Sequence, residues 1–164
     1  MAKPQNFAGF ILYRIYYGED IVYLGRTMQP LQARIRGHLF KKPTLREICI
    51  DQVSKIEFAT FKSQADMYLY EIYYINLWKP ELNKDDKASD ALTIALPEVE
   101  WKLFTTPLWD KWKKEIDDID AYYQEQRRAE AEAAEKKREM RRKRHNGEIT
   151  DEEYYAFLEE IDII

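Results

Sequence analysis

The chain has 164 residues, one cysteine and a formal net charge of −4. This length is enough for one domain with a buried core, or for one domain with an appendage. A single cysteine, Cys49, excludes an internal disulfide and predicts a reducing, cytoplasmic location. The start of the chain has no sustained apolar run before Arg14, so neither a signal peptide nor a membrane span is expected.

The charge is unevenly distributed along the chain. Residues 1–84 carry 12 Lys/Arg and 8 Asp/Glu, a balance of +4, whereas residues 85–164 carry 14 and 22, a balance of −8. The whole-chain charge argues against a nucleic-acid partner, but the mildly basic first half is compatible with one.

The first elements in chain order are two short strands. Phe10–Tyr17 and Ile21–Leu24 are rich in β-branched and aromatic residues, and Gly18–Asp20 between them favours a turn. This pattern predicts a β-hairpin. Antiparallel pairing can bring Tyr13 and Tyr23 to one face, although the register depends on the turn type.

A helix is predicted next, from Leu31 to Phe40, with Pro30 in its first turn. Arg34 and His38 are four residues apart, so they would lie one above the other on one side of this helix. The segment Thr44–Glu47 has the pattern of a capping box and predicts a second short helix.

A third strand and a longer helix complete the first half. Lys55–Phe61 alternates in the manner of a strand, and Ser63 is expected to cap a helix over Gln64–Trp78 that Pro80 stops. These elements predict an α+β fold, with a small three-stranded antiparallel sheet flanked by helices and followed by a long helical arm.

Glu71 lies within the apolar and aromatic segment Met67–Ile75, so we expect its helix to be buried on most sides. An ionised carboxylate in such a place costs several kcal/mol unless it is paired or binds a metal. Two interpretations follow: a structural ion pair with Arg34 or Arg36, or a ligand to a divalent cation. Mg²⁺ accepts a lone carboxylate together with water and phosphate oxygens.

The order of these residues resembles the GIY-YIG nuclease superfamily. The tripeptides Ile11-Leu12-Tyr13 and Tyr23-Leu24-Gly25 lie on adjacent strands before a helix with an Arg and a His, and a later helix carries Glu71 ahead of Asn83. The resemblance covers residues 8–84. It departs from the family at Ile11, where the first glycine of the family motif would stand.

The resemblance implies a metal-dependent endonuclease that hydrolyses phosphodiester bonds in DNA. The implied catalytic residues are Tyr13, Tyr23, Arg34, His38 and Glu71. Glu71 is then the protein ligand of Mg²⁺ or Mn²⁺, Arg34 donates to phosphate, and Tyr13 rather than His38 is the general base. The expected supporting residues are Arg26 and Asn83, and the expected DNA contacts of this half are Arg36, Lys41 and Lys42.

Each of these residues also has a simpler interpretation. The tyrosines are ordinary packing residues, Arg34 is a solvated helix charge, His38 is a cation at a helix C-terminus, and Asn83 is a turn residue. A second function therefore stays open: a catalytically silent protein that binds nucleic acid or assists assembly and retains a nuclease fold.

The second half is predicted to be a linker and docking segment over 85–106 and a helical extension over 107–164. The extension has a long helix, 107–145, and a short helix, 150–162, capped by Thr150. An apolar stripe along the long helix predicts docking on the first domain, on a second copy or on a protein partner. Its members, within residues 107–123, are Leu108, Trp112, Ile116, Ile119 and Tyr123.

The segment Lys136–His145 is the densest basic run, with seven Lys/Arg in ten residues. It is either a solvated helix face with acidic partners one turn upstream, or a second contact with the DNA backbone. The expected DNA contacts here are Arg141, Arg142, Lys143 and Arg144. The helical end of the chain also resembles hairpins appended to some bacterial and phage proteins.

Overall fold

The computed structural model describes residues 8–162 and has an α+β fold with a four-stranded antiparallel sheet. The strands are β1 (Phe10–Tyr17), β2 (Asp20–Thr27), β3 (Val53–Phe61) and β4 (Lys102–Leu103), in the order β2-β1-β3-β4. The helices are α1 (Leu31–Leu39), α2 (Gln64–Trp78), α3 (Trp109–His145) and α4 (Asp151–Asp162). Residues 1–7, at the start of the predicted first domain, and residues 163–164, at the end of the predicted helical extension, lie outside the described residues. No helix among the described residues is long and apolar enough to cross a membrane.

The expectation of three strands was wrong by one. The short strand β4 pairs with β3 through Glu57 and Phe58, and the backbone N–H of Phe104 donates to the carbonyl of Ile56 at 2.8 Å. A strand of two residues is too short to show an alternating pattern. It forms because the buried side chain of Phe104 pulls this part of the chain against the sheet.

A β-bulge sets the register of the hairpin. Near the turn Tyr16 pairs with Ile21, but further along Ile15 pairs with Tyr23, so Val22 is an extra residue without a partner in the ladder. If the pairing next to the turn had continued without the bulge, Tyr23 would lie on the opposite face of the sheet. A shift of one residue moves every side chain of the strand to the other face. The bulge therefore places Tyr13 and Tyr23 on the same face of the sheet.

Two apolar layers cover the two faces of the sheet. One face packs against α1 and the first turns of α3, and the other packs against α2. The first layer includes Ile11, Tyr13, Ile15, Ile35, Leu39, Phe58, Trp112 and Ile116. The second layer includes Leu12, Leu24, Met67, Tyr73, Tyr74 and Ile75.

The helix α2 has the predicted bounds, and the side chain of Ser63 caps it by accepting from the backbone N–H of Asp66 at 3.1 Å. The expectation that it is buried on most sides was wrong. Leu69, Ile72 and Leu77 remain 52%, 50% and 48% exposed, because only one side of the helix packs on the sheet.

The predicted capping box at Thr44–Glu47 is absent. The segment Pro43–Leu45 is a single 3₁₀ turn without a side-chain cap, and Glu47 forms an ion pair with Lys84 at 3.0 Å. The chain then leaves the helical conformation because Ile48 must enter the core, where it is 2% exposed.

The segment 85–106 is fixed to α2 rather than free. Asn76 donates to the carbonyl of Asp86 and accepts from the backbone N–H of Ala88, both at 2.7 Å. Further along, the guanidinium of Arg14 lies 4.1 Å from the ring of Trp101, which in turn packs against the α2 layer. This segment is thus part of the domain that contains the sheet.

The chain divides into two compact units, Met1–Ile116 and Asp117–Ile164, with the boundary inside α3. The first turns of α3 therefore belong to the first unit, where Trp112 and Ile116 are each 2% exposed. Three of the five members of the predicted apolar stripe, Leu108, Trp112 and Ile116, therefore pack in or against the core of the first unit.

The second unit contains the remainder of α3 and all of α4. Thr150 and Glu153 form a reciprocal capping box, with the Thr150 backbone N–H donating to the carboxylate at 2.8 Å and the Glu153 N–H donating to the hydroxyl at 3.2 Å. The ion pair from Arg144 Nε to Asp151 Oδ1, at 2.6 Å, joins the two helices. Both α3 and α4 lie within two residues of their predicted bounds.

Candidate active site

Four of the five predicted catalytic side chains meet on the α1 face of the sheet. Tyr13 is fully buried, and its hydroxyl oxygen lies 2.5 Å from His38 Nε2. Arg34 Nε donates to the same oxygen at 3.2 Å. The ring of Tyr23 lies 6.1 Å from that of Tyr13 and 5.1 Å from that of His38, measured between centroids. We call these four residues the tyrosine cluster.

The cluster depends on the geometry of both elements that supply it. Tyr13 and Tyr23 come from the paired strands β1 and β2, while Arg34 and His38 lie one helical turn apart on α1. Because Ile35 and Leu39 anchor α1 in the core, the side of the helix that carries Arg34 and His38 meets the phenol.

Gly25 leaves the space that Tyr13 occupies. A Cβ at this position would lie 2.5 Å from the hydroxyl oxygen of Tyr13 and 2.8 Å from Cε1 of Tyr23. Gly25 is directly opposite Tyr13 in the ladder, so the phenol ring crosses over its backbone. Any larger residue would displace both tyrosines, which explains on steric grounds why a glycine stands here.

The cluster sets the protonation states of its members. Burial, together with the charges of Arg34 and Lys41, lowers the pKa of His38 to about 4, so the imidazole is neutral at pH 7. Burial raises the pKa of Tyr13 well above its usual value, although Arg34 opposes the shift. The pKa of Tyr23 is also raised by burial, and a hydrogen bond from Tyr13 opposes that change.

Glu71 forms an ion pair with Arg26 rather than with the expected partners Arg34 or Arg36. Arg26 Nη1 lies 2.5 Å from Glu71 Oε2, and the Glu71 side chain is 12% exposed. The guanidinium of Arg26 also stacks on Tyr68, 4.0 Å from the ring centroid. Burial raises the pKa of Glu71, while the charge of Arg26 acts in the opposite direction.

Glu71 and the tyrosine cluster lie on different faces of the sheet, on either side of the edge strand β2. Glu71 belongs to α2, which packs with Leu12 and Leu24, whereas Tyr13 and Tyr23 pack on the other face. The two groups still interact electrostatically, because the charge of Glu71 contributes to the raised pKa of Tyr23. The charge of Glu71 therefore acts on the cluster although the two groups lie on different faces of the sheet.

The donor set fits a divalent cation only as a single-carboxylate site. Among the described residues, no group of three or more His, Cys, Asp or Glu side chains could hold a metal ion. Glu71 alone fits Mg²⁺, which keeps most of its water ligands and takes one or two carboxylates. Since Arg26 binds Oε2, a cation would share this carboxylate with Arg26 or displace it.

Asn83 continues the outer edge of β2. Its side chain accepts from the backbone N–H of Leu24 at 2.9 Å and donates to the carbonyl of Leu24 at 2.8 Å. The N–H of Leu82 donates to the carbonyl of Val22 at 2.9 Å. Asn83 thus holds the chain after α2 against β2, beside Gly25.

The residues predicted to contact DNA differ in how they are held. Arg36, Lys41 and Lys42 are exposed, and the guanidinium of Arg36 lies 4.1 Å from the ring of Phe40. In the second unit Arg141 and Arg142 are exposed.

Two of the predicted contacts form ion pairs within the second unit. Lys143 pairs with Glu139 at 2.8 Å, and Arg144 pairs with Asp151. The charges of Lys143 and Arg144 are therefore partly neutralised by carboxylates of the second unit.

Sequence reasoning missed Tyr68 as the platform beneath Arg26. Its spacing was the available signal, because Tyr68 lies three residues before Glu71 and side chains at that separation are neighbours on a helix. The electrostatic effects of Lys41 and Glu47 on the pKa of His38 were also missed.

Comparisons with known proteins give no relative: no protein-family model, no curated protein and no solved structure matches this chain significantly.

Proposed function

We propose that this protein is a metal-dependent DNA endonuclease with a GIY-YIG-like fold in its first unit. The observation that carries the proposal is the convergence of a phenol, an imidazole and a guanidinium on one point, with Tyr13 in contact with both His38 and Arg34. On the other face of the sheet an acidic side chain, Glu71, pairs with Arg26 of β2. Metal-dependent phosphodiester hydrolysis uses a proton acceptor, a cationic donor and a metal ligand, and these residue types supply all three.

Arg34 is the group best placed to bind the scissile phosphate. Its Nε donates to Tyr13 and its guanidinium also hydrogen-bonds Tyr23, but the residue is exposed, so its remaining N–H groups can donate to non-bridging oxygens. Arg26, 44% exposed in its ion pair with Glu71, provides a second cation at the other face of β2. A phosphate at the β2 edge would be bound between them.

His38 is the proton acceptor in this proposal, in place of Tyr13. A pKa of about 4 makes the imidazole a weak base that is neutral at pH 7, so one ring nitrogen is free to accept a proton from the water while that water attacks the phosphate. Tyr13 is fully buried and its pKa is raised, so as a resting phenol it is a poor base. With the imidazole proton on Nε2 and donated to Tyr13, the lone pair of Nδ1 is left for the water. Tyr13 then orients His38.

A divalent cation, Mg²⁺ or Mn²⁺, held by Glu71 would supply Lewis acidity to the phosphate and to the leaving oxygen. The raised pKa of Glu71 is consistent with a carboxylate that gains from a second cation beside it. Asn83 supports the site by fixing the edge of β2 on which both groups depend. Cys49 is exposed, and a reducing cytoplasmic location is part of the proposal.

One observation favours the second candidate, a catalytically silent nucleic-acid-binding or assembly protein. The ion pair with Arg26 already satisfies Glu71, as a purely structural carboxylate would be satisfied. In that case Arg34 and Arg26 would bind phosphate without promoting its hydrolysis.

A plasmid assay separates the two candidates. We expect the full-length protein to cut supercoiled DNA with Mg²⁺ or Mn²⁺ and to be inactive with a chelator. Glu71→Gln should abolish cutting while it leaves the affinity for DNA within about twofold, because the amide is nearly isosteric and the cation acts at the transition state. The control is Glu81→Gln, at an exposed glutamate outside the cluster.

Binding without cutting by the unaltered protein would favour the silent candidate. If the unaltered protein neither binds nor cuts DNA, both candidate functions are excluded.

A further inference from the structure

The ion pair between Arg26 and Glu71 occupies the carboxylate that the proposed cation needs. Arg26 Nη1 lies 2.5 Å from Glu71 Oε2. The Glu71 side chain is 12% exposed and the Arg26 side chain is 44% exposed, so the guanidinium is the partner that solvent reaches more easily. A divalent cation and a guanidinium on the same carboxylate repel each other. Binding of a cation to Glu71 therefore has to weaken or break this ion pair.

Arg26 has a second contact, with Tyr68, that does not depend on Glu71. The guanidinium carbon lies over the Tyr68 ring, 4.0 Å from its centroid. The side-chain amide of Gln64 donates to the Tyr68 hydroxyl from one helical turn earlier and so fixes the ring. The ring itself attracts a cation above its face, and the N–H groups of a guanidinium lie in its own plane, where they stay available to other acceptors. Tyr68 can therefore hold Arg26 after the ion pair with Glu71 is broken.

We propose that Tyr68 is a positioning residue that keeps Arg26 in place while Arg26 passes from Glu71 to a phosphate of bound DNA. Without metal, Glu71 holds Arg26, and Arg26 is released when Glu71 binds a divalent cation. A guanidinium binds phosphate oxygens in bidentate geometry, so the released Arg26 adds a contact to DNA. The inference rests on the proposed function and adds that metal and DNA bind with positive coupling. Such coupling is reciprocal, so it can be measured from either ligand.

The first measurement is the affinity of the full-length protein for Mn²⁺ alone, from the loss of the free-ion EPR signal during titration. Arg26→Gln should bind Mn²⁺ more tightly than the unaltered protein, by roughly 5- to 50-fold given the usual size of coupling, because no guanidinium competes for Glu71. Glu71→Gln should lose this site. The matched control is Arg128→Gln, which removes the same charge from an exposed position of α3. Because a distant exposed charge is screened by salt, this control should stay within about twofold of the unaltered protein.

The second measurement is the affinity for a labelled DNA duplex with and without Mn²⁺, by fluorescence anisotropy, in proteins that also carry His38→Gln to slow cutting. Mn²⁺ should tighten DNA binding, and this gain should be smaller in Arg26→Gln by about the factor that raises its Mn²⁺ affinity, since both effects come from one ion pair. Tyr68→Leu should keep its Mn²⁺ affinity within about twofold but lose most of the gain, because the released Arg26 is no longer held. Tyr68→Phe keeps the aromatic ring and should retain the gain.

Equal or weaker Mn²⁺ binding by Arg26→Gln would overturn the inference and leave the nuclease proposal intact. An unchanged gain in DNA affinity in Tyr68→Leu would also overturn it, because Tyr68 would then be an ordinary packing residue. Coupled binding of Mn²⁺ and DNA without cutting of the plasmid by the unaltered protein would reject the nuclease proposal and support the coupling. An unaltered protein that binds neither Mn²⁺ nor DNA would reject the proposed function, and the inference with it.

Discussion

Tyr13 is the residue on which the candidate site depends, and its neighbours account for that role. Its hydroxyl contacts Arg34 and His38, its ring lies over Gly25, and it is fully buried. A buried phenol that contacts a cation and a neutral imidazole is better suited to hold them in place than to ionise.

Gly25→Ala tests the steric basis of this arrangement. The new Cβ would lie 2.5 Å from the Tyr13 oxygen, so we expect the tyrosines to move, at a cost of about 1–3 kcal/mol in the free energy of unfolding. Cleavage should fall by roughly 10²-fold, since a displacement near 1 Å is enough for that loss. Thermal unfolding and single-turnover cleavage measure the two effects.

Gly37→Ala is the matched control for that variant. A Cβ at Gly37 meets nothing within 4 Å, so α1 should be stabilised by up to about 1 kcal/mol with cleavage unchanged. Wild-type activity in Gly25→Ala would mean that the position of Tyr13 does not control the reaction.

The pH dependence of cleavage identifies the base. A base works only when deprotonated, so with a pKa of about 4 for His38 the rate should be flat from about pH 6 to 9 and fall as the pH drops toward 4. A tyrosine base with a raised pKa would instead give a rate that climbs about tenfold per pH unit across that range. The measurement is kcat/KM at constant ionic strength.

His38→Gln provides the comparison for the pH profile. It should lose most of the rate at every pH, because it removes the proposed proton acceptor. A climbing profile in the unaltered protein would rule out His38 as the base.

At the scale of elements, the segment after α2 is as important as the strands. Residues 85–106 were predicted to be a linker and docking segment. This segment packs along α2, adds β4 to the sheet and leads into the first turns of α3, whose Trp112 lies in the core. The sheet and α1 are covered only when this later part of the chain is present.

Truncation tests this dependence. A chain ending at residue 84 loses Phe104, Trp112 and Ile116 from the first apolar layer. Because removing one buried Phe or Trp side chain costs about 3–5 kcal/mol and a domain has about 5–15 kcal/mol in total, residues 1–84 should not fold cooperatively. A chain ending at residue 123 keeps all three residues and should retain a sharp thermal transition by circular dichroism. Cooperative unfolding of residues 1–84 would show that the first domain does not need the later part of the chain.

At the scale of the whole molecule, the acidic second unit carries the basic run that is available for a second DNA contact. Of the four cations expected there, Lys143 and Arg144 form ion pairs within the unit, whereas Arg141 and Arg142 are exposed. The expected contribution to DNA binding is therefore smaller than four free cations would give.

The salt dependence of DNA affinity measures that contribution. Changing Arg141 and Arg142 together to Gln should flatten the slope of log K against log salt by up to about 1.8, at ~0.9 for each phosphate neutralised. The loss of affinity should be uniform across DNA sequences. The control pair, Arg127→Gln with Arg128→Gln, changes the net charge of α3 equally outside the basic run. Superimposable lines for all proteins would mean that the run is a solvated helix face.

Local pattern was sufficient for most elements of the chain. The bounds of β1 and α2, the capping of α2 by Ser63 and the capping box at Thr150 follow from turn, capping and periodicity signals a few residues long. These signals act between near neighbours in sequence, which is why they can be recognised without a structure.

Tertiary structure decided the arrangement of the site. The bulge at Val22 places Tyr23 on the face of Tyr13, although nothing local in the sequence distinguishes the two registers. The pairing of Glu71 with Arg26 depends on how α2 crosses the edge of β2. The fourth strand forms because the adjacent Phe104 is buried in the first apolar layer. Each of these contacts joins residues far apart in the chain, and packing rather than local preference determines which of them form.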